Sequence, residues 1–254
     1  MDPAVLRDDM VDSLAHESKG LVRSDSVSTA MRTVPRETFV DEEKHAYTHQ
    51  SFEHRGTRVL APGTVARLLE TLDTDPDDSV LVVGAGVGYT AALLAEIVGD
   101  QNVHAVDITR PVVYDARENL SSAGYEGVFV DCRDGAEGLP EYAPFDKILV
   151  EAAAVEPPRA LLDQLADDGR LVIPLGAREQ TLTAIDGAEA DAMLAGDPIE
   201  GRPSGTVAFA PLLVDGEQAG SIERNRQVRE DRERAARDAE RRHGWEHEWI
   251  DWDD

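Results

Sequence analysis

Residues 80–90 read V-L-V-V-G-A-G-V-G-Y-T. A short apolar, β-branched run breaks into three glycines at alternate positions and then opens a helical A-A-L-L-A-E-I-V segment. This order of strand, glycine turn and helix constrains the fold more than any other feature. Glycine has no Cβ, tolerates positive φ, and lets bare backbone approach a nucleotide-like ligand. Residues 102–107, N-V-H-A-V-D, read as a second buried strand ending in a carboxylate. Asp107 follows Gly88 by 19 positions, near the spacing at which an acid meets ribose hydroxyls.

Glycine spacing selects among cofactors. Dinucleotide folds favour G-x-G-x-x-G, with the pyrophosphate on the helix N-terminus. Here Gly84, Gly86 and Gly88 give G-x-G-x-G, and Tyr89 follows where a third nucleotide glycine would fall. That pattern suits S-adenosylmethionine, whose amino-acid end needs close backbone but no phosphate cradle. No G-x-x-x-x-G-K-[ST] string occurs, so a P-loop phosphotransferase has no support.

The rest of the chain is organised around this core. Residues 1–35 read helical, with Val5, Leu6, Met10, Val11, Leu14 and Ala15 spaced for one buried face. Ser24 or Asp25 caps a second helix through Met31, which Pro35 closes. A further amphipathic helix covers 65–72. Strands are then expected over 79–83, 102–107, 128–130, 147–150 and 170–174, and helices over 90–98, 111–123 and 158–165, with Thr109 capping and Pro111 in a first turn. Such alternation means a parallel sheet covered on both faces. Strands over 181–185 and 206–214 finish one edge antiparallel, and 186–204 reads as a turn-rich surface excursion. The expected architecture is α/β: a doubly wound, Rossmann-like, mostly parallel sheet of about seven strands. An N-terminal helical region and loop span 1–78, the cofactor-binding core spans 79–216, and a charged, helical or disordered tail spans 217–254. The tail is polar on nearly every face up to Gly244, after which Trp245, Trp249 and Trp252 fall at helical spacing. They read as a segment docking on its own domain or as aromatic anchors for a partner protein.

The 254 residues carry 51 acidic against 25 basic side chains, a net charge of −26, and lysine only at Lys19, Lys44 and Lys147. This surface looks like that of cytoplasmic proteins from extreme halophiles, where a Debye length of about 3 Å at 1 M salt screens self-repulsion. Acidity speaks against a nucleic-acid partner, although weakly in a proteome that is acidic throughout. Cys132 is the only cysteine, which rules out an intrachain disulfide or a cysteine zinc cluster. His45 and His49 stand four apart near Glu53 and His54, a spacing compatible with zinc on a helix face. A histidine-rich acidic segment is the simpler reading, and no metal is expected. The N-terminus lacks a basic and an apolar leader region, and no run reaches the roughly 18 apolar residues of a membrane span. The expectation is a soluble cytoplasmic protein.

Taken together, the segments resemble the protein-L-isoaspartate O-methyltransferase family, class I S-adenosylmethionine-dependent enzymes that repair damaged aspartyl and asparaginyl sites. The strings are V-P-R-E-T-F-V at 34–40, V-L-V-V-G-A-G-V-G-Y-T-A-A-L-L-A at 80–95, A-P-F-D-K-I-L-V-E-A-A-A at 143–154 and G-R-L-V-I-P-L-G at 169–176. By that resemblance Gly84, Gly86 and Gly88 face the methionine and ribose end of the cofactor, and Asp107 takes the ribose hydroxyls. Asp134, followed by Gly135, takes the adenine amino group, with a plain turn residue as its alternative. The expected partner is a damaged protein or peptide.

Two positions depart from the family. Val82 stands where the family has an acid in the glycine-turn strand, so one anchor of the cofactor's amino group is missing. The substrate loop T-I-S-x-P becomes Arg58-Val59-Leu60-Ala61-Pro62, so Arg58 and Leu60 replace its two hydroxyls while Gly56 and Pro62 survive. A carboxylate is already nucleophilic at neutral pH, so methyl transfer needs alignment and no general base. Arg58 or Arg55 is then the candidate to hold the substrate carboxylate bidentately. The alternatives are another acceptor on the same fold, such as RNA or a different side chain, and a non-catalytic cofactor-binding protein.

Overall fold

Two helices open the chain in the computed structural model, which describes residues 2–42, 45–198 and 201–214. They are α1 (Pro3–Ala15) and α2 (Asp25–Thr33). Asp2 caps α1 by accepting from the Ala4 N–H at 3.0 Å, and Ser24, not Asp25, caps α2 by accepting from Val27. Next come a hairpin, β1 (Phe52–His54) and β2 (Thr57–Val59), and α3 (Pro62–Leu72). The sheet and its crossovers follow: β3 (Val80–Val83), α4 (Tyr89–Val98), β4 (Val103–Asp107), α5 (Arg110–Ser122), β5 (Phe129–Cys132), β6 (Phe145–Val150), α6 (Arg159–Leu162) and β7 (Leu165–Leu175). The described part ends with β8 (Gln180–Asp186), α7 (Gly187–Leu194) and β9 (Arg202–Val207).

The seven-stranded sheet has the order β5-β4-β3-β6-β7-β8-β9. Strands β3 to β7 pair parallel, and β8 runs antiparallel to both of its neighbours. β3 is fully buried because each face meets a core. Val80 and Val82 pack with α2, α3, α4 and α5, whereas Leu81 and Val83 pack with α6 and α7, the period-two division a buried strand requires. From β3 the chain crosses to β4 and β5 on one side and later returns to β6 on the other. The crevice at the carboxyl ends of β3, β4 and β6 is therefore the switch point at which such sheets bind ligands.

Several expectations need correction. Residues 187–194 form α7, because Asp186 and Glu189 make a reciprocal capping box. The last strand stops at Val207, and residues 208–214 cross back over the ends of β6 and β7 through a bridge between Ala153 and Pro211, with the Gln180 side chain taking both backbone groups of Phe209 where a ladder would otherwise continue. α6 is a single turn, and β7 begins at Leu165, inside the segment read as helix. Residues 45–49 form turns, so His45 and His49 share no helix face. The tail, with Trp245, Trp249 and Trp252, lies outside the described residues. Among the described residues no helix is long and apolar enough to cross a membrane.

Candidate active site

The turn after β3 forms the floor of a cavity of about 650 Å³. Gly84 has φ +93 and its Cα faces Glu151; an added Cβ would stand 3.5 Å from the Glu151 Cβ. Space is available there, so backbone conformation demands the glycine. The N–H groups of Gly84 and Ala85 both donate to the Val106 carbonyl, at 2.8 and 2.9 Å, which fixes the turn against β4. Gly86 also lines the cavity, and its N–H donates to Asp107 Oδ2 at 3.1 Å. Asp107 Oδ1 accepts from the Thr109 N–H at 2.8 Å. Burial raises the Asp107 pKa despite these two backbone donors. Its carboxylate therefore enters the cavity oriented and poorly hydrated, ready to accept from hydroxyls.

Gly88 does not line the cavity. It precedes α4, and an added Cβ would stand 3.2 Å from Leu120 Cγ and 3.3 Å from the Ala116 carbonyl oxygen. Its structural place is the close packing of α4 on α5. Gly135 does line the cavity and has no room for a side chain, since a Cβ would stand 2.4 Å from Val83 Cγ1. Asp134 is not among the lining residues; it accepts from the Ala136 N–H at 2.9 Å and starts the short 3-10 turn that follows.

The hairpin walls the cavity from above. Arg55 and Gly56 occupy its two-residue turn with φ +45 and +82, the left-handed pair that a tight hairpin needs and that favours glycine at Gly56. Thr57, Arg58 and Leu60 all line the cavity. Arg58 is exposed, whereas the Leu60 side chain is buried. Thr57 restores a hydroxyl near the turn, its Oγ1 lying 3.8 Å from where a Gly86 Cβ would be. Arg55 pairs with Asp115 of α5 at 2.8 Å and does not line the cavity.

The histidines do not converge. His45 pairs with Glu42 and stacks on Phe52, His49 packs on Gly63, and His54 bonds Asp41 and Asp115. Among the described residues no three His, Cys, Asp or Glu side chains are grouped to hold a metal ion.

Four features of the site escape sequence reasoning. Glu151, one residue past β6, lines the cavity beside Gly84. Burial pushes its pKa up to about 7, with the nearby Thr90 hydroxyl lowering it in part, and nearby Asp107 raising it further. Arg178, in the turn between β7 and β8, gives the cavity a second guanidinium. Gln180 pins the returning segment 207–213 over the cavity by donating to the Phe209 carbonyl at 3.0 Å and accepting from its N–H at 2.6 Å. Fully buried Arg36 donates to the carbonyls of Ala46 and Leu60, at 2.7 and 2.6 Å, and lies over the Tyr89 ring. Arg36 and Glu151 belonged to strings singled out in the sequence, but neither stood out there as a site residue; the place of each in the site depends on strands meeting in space.

A doubly wound sheet, a glycine turn at its switch point and an acid at the end of the next strand define a class I S-adenosylmethionine-dependent methyltransferase. The chain matches the description "Protein-L-isoaspartate(D-aspartate) O-methyltransferase (PCMT)" over residues 7–218, and it belongs to that family. It is similar to the protein-L-isoaspartate O-methyltransferase of Aeropyrum pernix, with 46% identity over 66% of this chain and 66% of that one. A second relative of the same name, from a Roseiflexus species, is 38% identical over 84% of this chain and 94% of that one. A solved protein-L-isoaspartate O-methyltransferase has 25% identity, a TM-score of 0.69, and covers 87% of this chain and 70% of that one. A Plasmodium falciparum structure described as the same kind of enzyme, in complex with S-adenosyl-L-homocysteine, has 24% identity and a TM-score of 0.68 over 82% of this chain and 98% of that one. The chain is thus an enzyme, a protein carboxyl methyltransferase whose methyl donor is S-adenosylmethionine. The reading of a non-catalytic binding protein falls with that assignment.

Proposed function

We propose that this chain methylates the free carboxylate of L-isoaspartyl residues in damaged proteins, with Arg58 holding that carboxylate at the cavity's outer wall. The observation that carries the reading is one cavity holding both the glycine turn and the hairpin guanidinium. The residues fit the donor. Gly84 and Gly86 offer backbone to its amino-acid and ribose ends, Asp107 accepts from the ribose hydroxyls, and Gly135 leaves a flat surface for the adenine. Asp134 borders Gly135 in the chain but does not line the cavity, so its role toward the adenine amino group rests on the family resemblance alone. Gly88 serves the same turn by setting α4 against α5.

When bound, S-adenosylmethionine supplies an electrophilic methyl group. The chain's own residues supply position. Arg58 binds a carboxylate bidentately and turns one oxygen inward, which is most of the acceleration such a reaction needs. No side chain has to take a proton, because the acceptor is already an anion. Segment 207–213 and the hairpin form the walls that confine the substrate to this geometry.

Two wider readings rest on composition. Net charge −26 with three lysines supports a cytoplasmic enzyme working in molar salt and disfavours a nucleic-acid acceptor. The sequence spacing of Trp245, Trp249 and Trp252 supports docking of the tail on its own domain, with a partner protein as the alternative. Deleting 244–254 without effect on stability or oligomeric state favours the partner.

The test is methyl transfer from labelled donor to an isoaspartyl peptide in molar KCl, with the ordinary aspartyl peptide as control. Arg58→Ala should raise the KM for the peptide about tenfold or more, as loss of a charge-assisted pair implies. Its affinity for S-adenosylhomocysteine should stay unchanged. An unaltered peptide KM would refute the assignment of Arg58.

A further inference from the structure

Glu151 is a carboxylic acid placed where an acid has no reason to be, unless a ligand completes its surroundings. Its backbone N–H donates to the Val83 carbonyl at 2.8 Å, so it continues the β6 ladder against β3. Val82 pairs in register with Leu149. By the two-residue period, Glu151 points to the same face of the sheet as Leu149 and Val82. That face is covered by α4, whose Thr90 hydroxyl is near enough to the carboxyl to lower its pKa in part. Glu151 Oε1 is shut off from solvent and has no hydrogen-bond partner in the protein, although the residue borders the cavity. A buried carboxylate oxygen left unpaired costs folding free energy, and buried polar atoms without a partner point to an absent group.

We propose that Glu151 receives the ammonium group of the donor's methionine end, replacing from β6 the acid that β3 lacks at Val82. The inference rests on S-adenosylmethionine occupying this cavity. The location selects that group among the donor's polar ends. Asp107 stands beyond the glycine turn on β4, with both oxygens already oriented by Gly86 and Thr109, and suits neutral hydroxyls. Glu151 flanks Gly84 from the opposite strand and presents an oxygen with no donor at all, which matches a cation carrying several N–H groups. The charged groups that share the cavity are Asp107, on β4, and the exposed Glu53, Arg58 and Arg178 on the hairpin and the β7–β8 turn. None of them hydrogen-bonds Glu151 Oε1. Burial supports the same picture, since an acid held near neutrality is primed to ionise when a cation arrives.

Calorimetric titration with two probes tests this. S-adenosylhomocysteine carries the ammonium; 5′-methylthioadenosine keeps adenine, ribose and sulfur but lacks the amino-acid end. Glu151→Gln, nearly isosteric, should weaken S-adenosylhomocysteine by about 10- to 100-fold, as for loss of a charged hydrogen bond. It should leave 5′-methylthioadenosine unchanged. The unmutated enzyme gives an independent reading below neutral pH. S-adenosylhomocysteine should release about one more proton than 5′-methylthioadenosine does, seen as a different dependence of binding enthalpy on buffer. Equal affinities of wild type and Glu151→Gln for S-adenosylhomocysteine, or equal proton release by the two probes, would overturn the role of Glu151 while leaving the cofactor site standing. Failure of the wild type to bind either probe would overturn both.

Discussion

His54 Nε2 stands 2.8 Å from Asp115 Oδ2, so a carboxylate on α5 holds the tip of the hairpin that walls the cavity. Arg55 Nε reaches the same oxygen at 2.8 Å, and Asp41 takes His54 Nδ1 at 3.1 Å. Partial burial alone would lower the imidazole pKa; the hydrogen bonds to Asp115 and Asp41 outweigh it and raise the pKa above 6.5. A raised histidine pKa means a contribution fully present below the unfolded value and lost as pH climbs through the folded one. The pairs are partly open to water, so the latch is worth about 1 kcal/mol or less. Asp115→Asn should speed amide exchange over residues 52–59 and erase an alkaline loss of hairpin protection seen in the parent. Identical exchange in the two proteins at every pH would show that the hairpin is held by other contacts.

Arg36 ties the strand leading into α3 to the turn before the hairpin. Both its bonds go to backbone carbonyls, Ala46 and Leu60, so Arg36→Leu leaves two buried acceptors unsatisfied. At about 1–3 kcal/mol each, the loss should be about 2–6 kcal/mol in denaturant unfolding at fixed salt. Arg36→Lys should recover little, because one ammonium cannot span both carbonyls as the fork does. A change of only a few tenths of a kcal/mol would mean the two carbonyls find water.

Glu151 predicts a pH dependence of the ligand-free protein. Its pKa rises from 4.5 to about 7, first through burial, so the folded state keeps a proton that the unfolded chain gives up from about pH 4.5. Between these values the folded state binds more protons, and stability must fall as pH rises. The span corresponds to a loss on the order of 3 kcal/mol, complete just above neutrality. Glu151→Gln should therefore be more stable than the parent near pH 8 and similar to it near pH 4. A variant that is less stable than the parent at pH 8, without ligand, would contradict the burial cost.

The parts of the site legible in the sequence are those whose meaning is local. Gly84, Gly86 and Asp107 are recognisable because a turn and the end of the next strand carry their signal within a short stretch. Gly88 matches the same pattern, yet its neighbours are Leu120 and Ala116 of α5, which spacing alone cannot reveal. Glu151 looks like an ordinary acid after a strand. Only the pairing of β6 with β3 puts it beside Gly84 and under Thr90. The hairpin hides because a three-residue strand has no periodicity to read, and its turn uses Arg55 where asparagine or aspartate is usual. α7 was readable: Asp186 and Glu189 stand at capping-box spacing, but small acidic residues mask the helix they start. The sheet itself follows from apolar runs that only a doubly covered strand can use.

The surface charge makes the last prediction. With 51 acids against 25 bases, like-charge repulsion acts over about 10 Å in 0.1 M salt and over about 3 Å at 1 M. Salt also weakens the attractive surface pairs, such as Arg32 with Asp8 and Asp12, and Arg170 with Asp73 and Asp186. Each exposed pair is worth at most about 1 kcal/mol, and they are few against an excess of 26 negative charges. Repulsion therefore dominates, and the Tm should climb steadily from dilute buffer to molar KCl. Sodium and potassium chloride should act alike if screening is the cause. A Tm that is flat or falls over that range would mean that the acids are already neutralised by their neighbours, and the high-salt reading of the composition would be lost.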